Sequence, residues 1–160
     1  MSTRASIVLK LKDEDIGKKM KFEPSRLPLG ITCDMAGGDK VEWVELSKRY
    51  IMIYHNYDSY PSGMGVYLYY IYNDYDKIIN LLLGGNVSSI LGTMLMQYIC
   101  YPDGVWADEK PIVYDEMPEK EEDYIYLFEN GIWYLKSNRY PEWVDLEMVL
   151  RAERDKLLNE

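Results

Sequence analysis

Asn130-Gly131 lies between two apolar runs, Tyr-Ile-Tyr-Leu-Phe at 124–128 and Ile-Trp-Tyr-Leu-Lys at 132–136. A two-residue type I′ connection needs positive φ at both central positions, and Asn followed by Gly supplies it. The pair fixes a tight antiparallel hairpin late in the chain, and so a sheet. Residues 3–11 add a strand whose alternation puts Ala5, Ile7, Leu9 and Leu11 on one face. Residues 49–56 read as a central strand. Residues 97–101 read as a further strand, while 90–97 leave helix and strand open.

The helical signals fall between and after these strands. Leu68, Ile71, Tyr72 and Tyr75 recur at helical spacing, which predicts a helix over 64–73. Asp74 is a candidate N-cap for a second helix over 75–83, stopped by Gly84-Gly85. Leu146, Val149, Leu150, Leu157 and Leu158 give the apolar side of a third, 145–158. The expected fold is α+β, an antiparallel sheet with helices packed mainly on one face. The length of 160 residues suits a single domain, 1–160. It carries an insertion or long hairpin at 12–45, with Gly37-Gly38-Asp39 as a hairpin-like turn. Residues 108–123 hold eight acidic side chains, two lysines and two prolines, and read as a solvated acidic loop.

Charge narrows the functional classes. The net charge is −9, and residues 101–160 hold sixteen acidic side chains against seven basic ones. Such a field repels phosphate backbones, so general nucleic-acid binding is disfavoured. The basic cluster Lys10, Lys12, Lys18, Lys19 and Lys21 is a local exception. No apolar run approaches a bilayer span, and no signal-peptide pattern opens the sequence. Cys33 and Cys100 read as free thiols in a reducing compartment. Tyrosine is the compositional outlier, with sixteen Tyr against two Phe. Rings with polar tips suit boundaries, pockets and interfaces, although a bias of the source genome gives the same count.

The densest candidate for chemistry is Tyr57-Asp58-Ser59-Tyr60-Pro61-Ser62-Gly63-Met64-Gly65. A glycine-rich turn opening a helix presents N–H groups suited to an anion. The alternative is that the Asp58 side chain caps those N–H groups itself. His55, the sole histidine, is a weak catalytic candidate with Asp58 as its partner. Ser2, as a processed N-terminus, is a candidate nucleophile, against the simpler reading of a docked end. One histidine cannot make a His-rich metal site, and 108–123 lacks the glycine of a calcium loop. No cofactor or metal is expected. Arg4 and Asp58 are expected to form a buried ion pair if their strands are neighbours. The candidate ligand or partner residues are Arg4, Asp58, Tyr60, Gly63 and Gly65.

Several of these residues recur together in a known group. Thr3-Arg4 opens the first strand, and Tyr54-His55-Asn56-Tyr57-Asp58-Ser59-Tyr60-Pro61-Ser62-Gly63-Met64-Gly65 ends a later one. Gly85-Asn86-Val87-Ser88-Ser89-Ile90-Leu91 and the Tyr124–Leu135 hairpin follow in order. The chain resembles a group of small uncharacterised bacteriophage and prophage proteins with a Thr-Arg start and an Asp-x-Tyr-Pro-x-Gly-x-Gly motif. His55 and Asn56 stand in swapped order relative to one form of that motif. The resemblance implies a phage or mobile-element origin and action in the cytoplasm of a bacterial host. The leading expectation is a non-enzymatic binding or interaction protein. It would be a counter-defence factor that binds a host protein or sequesters a small polar ligand. A small hydrolase using His55 or Ser2 with Asp58 is one alternative, and a structural or virion-associated protein is another. A homo-oligomer is compatible with the sequence.

Overall fold

A computed structural model of the chain describes residues 3–22, 42–55, 58–87, 90 and 110–158. Among these, six strands form one sheet in the order β5-β4-β1-β6-β7-β8. They are β1 (Ala5–Lys10), β4 (Tyr50–His55), β5 (Ile112–Tyr114), β6 (Tyr124–Glu129), β7 (Ile132–Ser137) and β8 (Val144–Asp145). A separate pair, β2 (Lys19–Lys21) and β3 (Trp43–Glu45), is antiparallel. The helices are α1 (Val66–Tyr70), α2 (Tyr75–Leu82) and α3 (Leu146–Leu158).

The fold is α+β with a mostly antiparallel sheet. The exception is β1, which runs antiparallel to β4 and parallel to β6. The β6–β7 hairpin turns on Asn130 (φ 53°) and Gly131 (φ 83°), as the Asn-Gly pair requires. The alternation of β1 sorts its side chains between two faces. Ala5, Ile7, Leu9 and Leu11 enter the main core, where Leu68 of α1, Ile78 and Leu82 of α2, and Leu146 and Val149 of α3 meet them. Val8 points the other way, into a smaller cluster with Met52, Ile125 and Leu127 that no described helix joins. Tyr50, Tyr54, Tyr114, Met117, Tyr134 and Trp143 pack around that cluster. The helices therefore lie mainly on one face.

Tyrosine usage follows this layering. Of the thirteen described tyrosines only Tyr126 is fully buried; ten are half-buried and two exposed. Half-burial lets a ring pack while its hydroxyl stays in reach of water or a polar partner.

Some local expectations change. Within the expected insertion or long hairpin at 12–45, Lys19–Lys21 pair antiparallel with Trp43–Glu45, with Lys19 opposite Glu45. Within 108–123, Ile112–Tyr114 form the edge strand β5 beside β4. Its three residues give an edge too short to recruit another chain readily. Leu157 and Leu158 do not join the core; they are 70% and 76% exposed, in the last turn of α3. Ile71 also faces solvent, because α1 stops at Tyr70. The basic cluster is partly neutralised, since Lys10, Lys18 and Lys19 pair with Glu129, Asp15 and Glu45. Ser2, Cys33, the 37–39 turn, Cys100 and the 97–101 strand lie outside the described residues. No helix among the described residues is long and apolar enough to cross a membrane.

Asp74 caps α2, its Oδ1 accepting from the Lys77 N–H at 2.9 Å. Asp74→Ala is expected to cost about 1 kcal/mol, read as a lower midpoint in urea with an unchanged slope.

Candidate functional site

His55 ends β4 and is fully buried. The Ile90 N–H donates to its Nε2 at 3.0 Å, so Nε2 carries the lone pair and Nδ1 the hydrogen. Nδ1–H then donates to Ser59 Oγ at 2.9 Å, and the Ser59 hydroxyl donates to the His55 carbonyl at 3.3 Å. The ring is neutral, and burial lowers its pKa to about 4. Ser59 is tied further. Its N–H donates to Thr3 Oγ1 at 2.8 Å, and its carbonyl accepts from the buried Tyr126 hydroxyl at 2.6 Å. Beyond β4, Val87 forms a parallel bridge with His55, and Asn86 Oδ1 accepts from the Tyr54 N–H at 2.9 Å.

The turn after this node is pinned by backbone. Asp58 sits at φ 56°, a left-handed conformation that Asp tolerates better than most residues. Its carbonyl accepts from Met64 N–H at 3.0 Å, and the Tyr60 carbonyl accepts from Gly63 N–H at 2.9 Å. Pro61–Gly65 form a wide helical turn closed by the Val66 N–H on the Pro61 carbonyl, and α1 continues from it. Proline suits that start because its missing N–H would have no partner there. The expected side-chain cap by Asp58 is not formed: no side chain caps this turn, and the main-chain oxygen of Asp58 takes the N–H instead.

The structure separates the sequence-derived candidates. His55 bonds Ser59 rather than Asp58, whose side chain is exposed. A base in this position would have to release the Ile90 N–H from Nε2, its only free lone pair, to reach a substrate. Arg4 and Asp58 are both exposed, so the buried ion pair is not made; the Arg4 N–H donates to Asp123 Oδ2 instead. The reason is the β1–β6 pairing, which places Arg4 beside Asp123 at the start of β6. Tyr60 is exposed, with its ring against Gly63. Gly65 packs near Leu146 and the Tyr126 ring. The motif residues thus meet as a turn; Asp58, Tyr60, Gly63 and Gly65 do not line the cleft described below.

The open space lies next door. Thr3 and Pro61, from the two ends of the motif, line a cleft of about 370 Å³ together with Asp123, Tyr124, Ser137, Asn138, Arg139, Tyr140 and Glu153. Here the polar groups are not all satisfied. Glu153 Oε2 is shut off from solvent and has no hydrogen-bond partner. Burial raises the Glu153 pKa, opposed by Arg139 and Lys156. Tyr124 is raised first by burial, then by the charges of Asp123 and Glu153, so both carboxylates act on its hydroxyl. The Arg139 guanidinium stands 5.7 Å from the Tyr140 ring centre.

Sequence reasoning missed Ser59, Tyr126 and Glu153. Glu153 did leave a signal: it falls three residues after Leu150 and seven after Leu146, a core-facing slot of α3 filled by a carboxylate. Ser59 and Tyr126 left none, because the Tyr126 hydroxyl donates to the Ser59 carbonyl across 67 positions and the Ser59 N–H donates to Thr3 across 56. Among the described residues no group of three or more His, Cys, Asp or Glu could hold a metal ion. Comparison with protein-family models, curated proteins and solved structures found no match to the chain.

Proposed function

We propose that the chain is a non-enzymatic binding protein of bacteriophage origin that holds a small polar ligand in the cleft beside Pro61. It acts in the bacterial cytoplasm, as a counter-defence factor that sequesters its ligand. The supporting observation is a contrast between two adjacent polar clusters. Around His55 both ring nitrogens and the Ser59 N–H, hydroxyl and carbonyl are engaged. That cluster holds the turn. In the neighbouring cleft the Glu153 carboxylate keeps a shielded oxygen with no partner. Such a group is under-solvated, and a ligand that supplies the missing interaction is favoured there.

Native mass spectrometry of the protein purified from a bacterial lysate tests this. A small molecule bound one-to-one is expected, released on denaturation. It should be lost in Asn138→Trp, which puts a large ring at the exposed rim of the cleft. No adduct on the parent protein, or one that survives Asn138→Trp, overturns the reading.

A further inference from the structure

We propose that Asn130 is a self-modification site. Its side-chain amide is lost through a cyclic imide with Gly131, which leaves aspartate or isoaspartate at the tip of the β6–β7 hairpin. The site lies outside the cleft beside Pro61.

The chemistry needs only water. The Gly131 amide nitrogen loses its proton to a base in the solvent and attacks Asn130 Cγ. A bond forms between that nitrogen and Cγ, the Cγ–Nδ2 bond breaks, and the side-chain nitrogen leaves as ammonia, taking up a proton. Water then adds to one of the two ring carbonyls. Breaking the bond from nitrogen to Cγ gives aspartate. Breaking the bond from nitrogen to the Asn130 carbonyl carbon gives isoaspartate, in which the main chain runs through Cγ. One water enters and one ammonia leaves.

Five asparagines are among the described residues, and only Asn130 precedes a glycine. Glycine leaves the attacking nitrogen unhindered, and even a Cβ at Gly131 would meet nothing within 4 Å. Both tip residues are exposed, and among the described residues no hydrogen bond holds the Asn130 carboxamide or the Gly131 N–H. The attack requires the tip to swing out of its turn, which loosens first the last ladder pair, Glu129–Ile132. The other four differ. Asn86 Oδ1 accepts from the Tyr54 N–H at 2.9 Å, and Asn73 Nδ2 donates to the Tyr70 carbonyl at 3.4 Å. Asn80 lies within α2, where the next N–H is committed to the helix. Asn138 is exposed, but the Arg139 side chain crowds the nitrogen that would attack.

The two products differ in what they do to the hairpin. Asp-Gly suits a type I′ turn as Asn-Gly does, so the aspartyl form keeps it. Isoaspartate adds a methylene to the main chain of a two-residue loop. The ends of that loop are fixed by the Glu129–Ile132 and Phe128–Trp133 pairs. Phe128 and Trp133 are buried against each other, with ring centres 5.3 Å apart, so a longer loop strains the core.

The test is incubation of the full chain at 37 °C, at pH 6 and at pH 8, followed by anion exchange and peptide mapping by mass spectrometry. Asn130→Gly is the control, because Gly-Gly also takes a type I′ turn and carries no amide to lose. Asn130→Asp supplies the standard for the aspartyl form. The parent should gain an acidic form with aspartate and isoaspartate at position 130, faster at pH 8. Its rate should be at least ten-fold above loss at Asn138, and Asn130→Gly should lack that form. The isolated isoaspartyl form should melt below the aspartyl form. Loss at Asn130 no faster than at Asn138, or aspartate there without isoaspartate, overturns the proposal. Equal melting of the two product forms contradicts the strain assigned to the turn.

Discussion

Gly63→Ala is expected to lower stability by about 3 kcal/mol, near the upper end of what forced overpacking costs. A Cβ at this position would lie 2.6 Å from the Asp58 carbonyl oxygen and 3.0 Å from Tyr60 Cε2. The ring can swing away, since Tyr60 is exposed. The carbonyl cannot move freely, because it accepts the Met64 N–H that fixes the turn. Either the hydrogen bond breaks or the turn opens. For a chain of this length the loss corresponds to a fall in melting temperature of roughly 6–12 °C. Gly65→Ala is the control. Its Cβ would meet only side-chain atoms, with Leu146 Cδ1 nearest at 3.3 Å, and about 1 kcal/mol is expected. Equal melting temperatures for the two variants would show that the turn is not built on the Asp58 carbonyl.

The second large effect is on acid stability. His55 has a folded pKa of about 4, below its ordinary value of 6.5, because burial disfavours the charged ring. Above pH 6.5 the ring is neutral folded or unfolded, and it adds no pH dependence. Between 6.5 and about 4 the unfolded chain takes up a proton that the folded chain excludes, so stability falls as the pH falls. Below about 4 both forms bind the proton and the contribution levels off, about 3 kcal/mol lower. His55→Asn removes the titration and keeps an N–H for Ser59, but loses the acceptor for Ile90. It should be about 1–2 kcal/mol less stable than the parent at pH 7, yet flatter between pH 6.5 and 4. Urea midpoints at several pH values measure the difference, from which the titration of surface carboxylates cancels. Parallel pH profiles would contradict a buried neutral ring.

Both effects come from the turn that looked most like chemistry in the sequence and from the histidine that leads into it. Its spacing is that of a phosphate-friendly loop or an acid–base pair, but those spacings also suit a tight strand-to-helix turn. Sequence distance cannot separate the two, because the deciding contacts are distant: Thr3 to Ser59, Tyr126 to Ser59, and Ile90 to His55. The fold was more legible. Short-range rules governed the Asn130-Gly131 hairpin, the Asp74 cap and the alternation of β1, and the structure follows each of them. The parallel neighbour of β1 was not legible, since pairing across more than a hundred residues leaves no local mark. The edge strand β5 was masked by the charges around it, because three residues carry too little pattern to outweigh eight acidic neighbours.

The central claim is that His55 holds the turn as a sealed, neutral ring and leaves ligand binding to the adjacent cleft. The most direct measurement is ¹⁵N NMR of the imidazole across a pH titration. The account predicts a hydrogen on Nδ1, a bare Nε2 that accepts the Ile90 N–H, and no protonation until the pH nears 4. A ring that titrates near 6.5, with tautomers exchanging as they do in water, would contradict it.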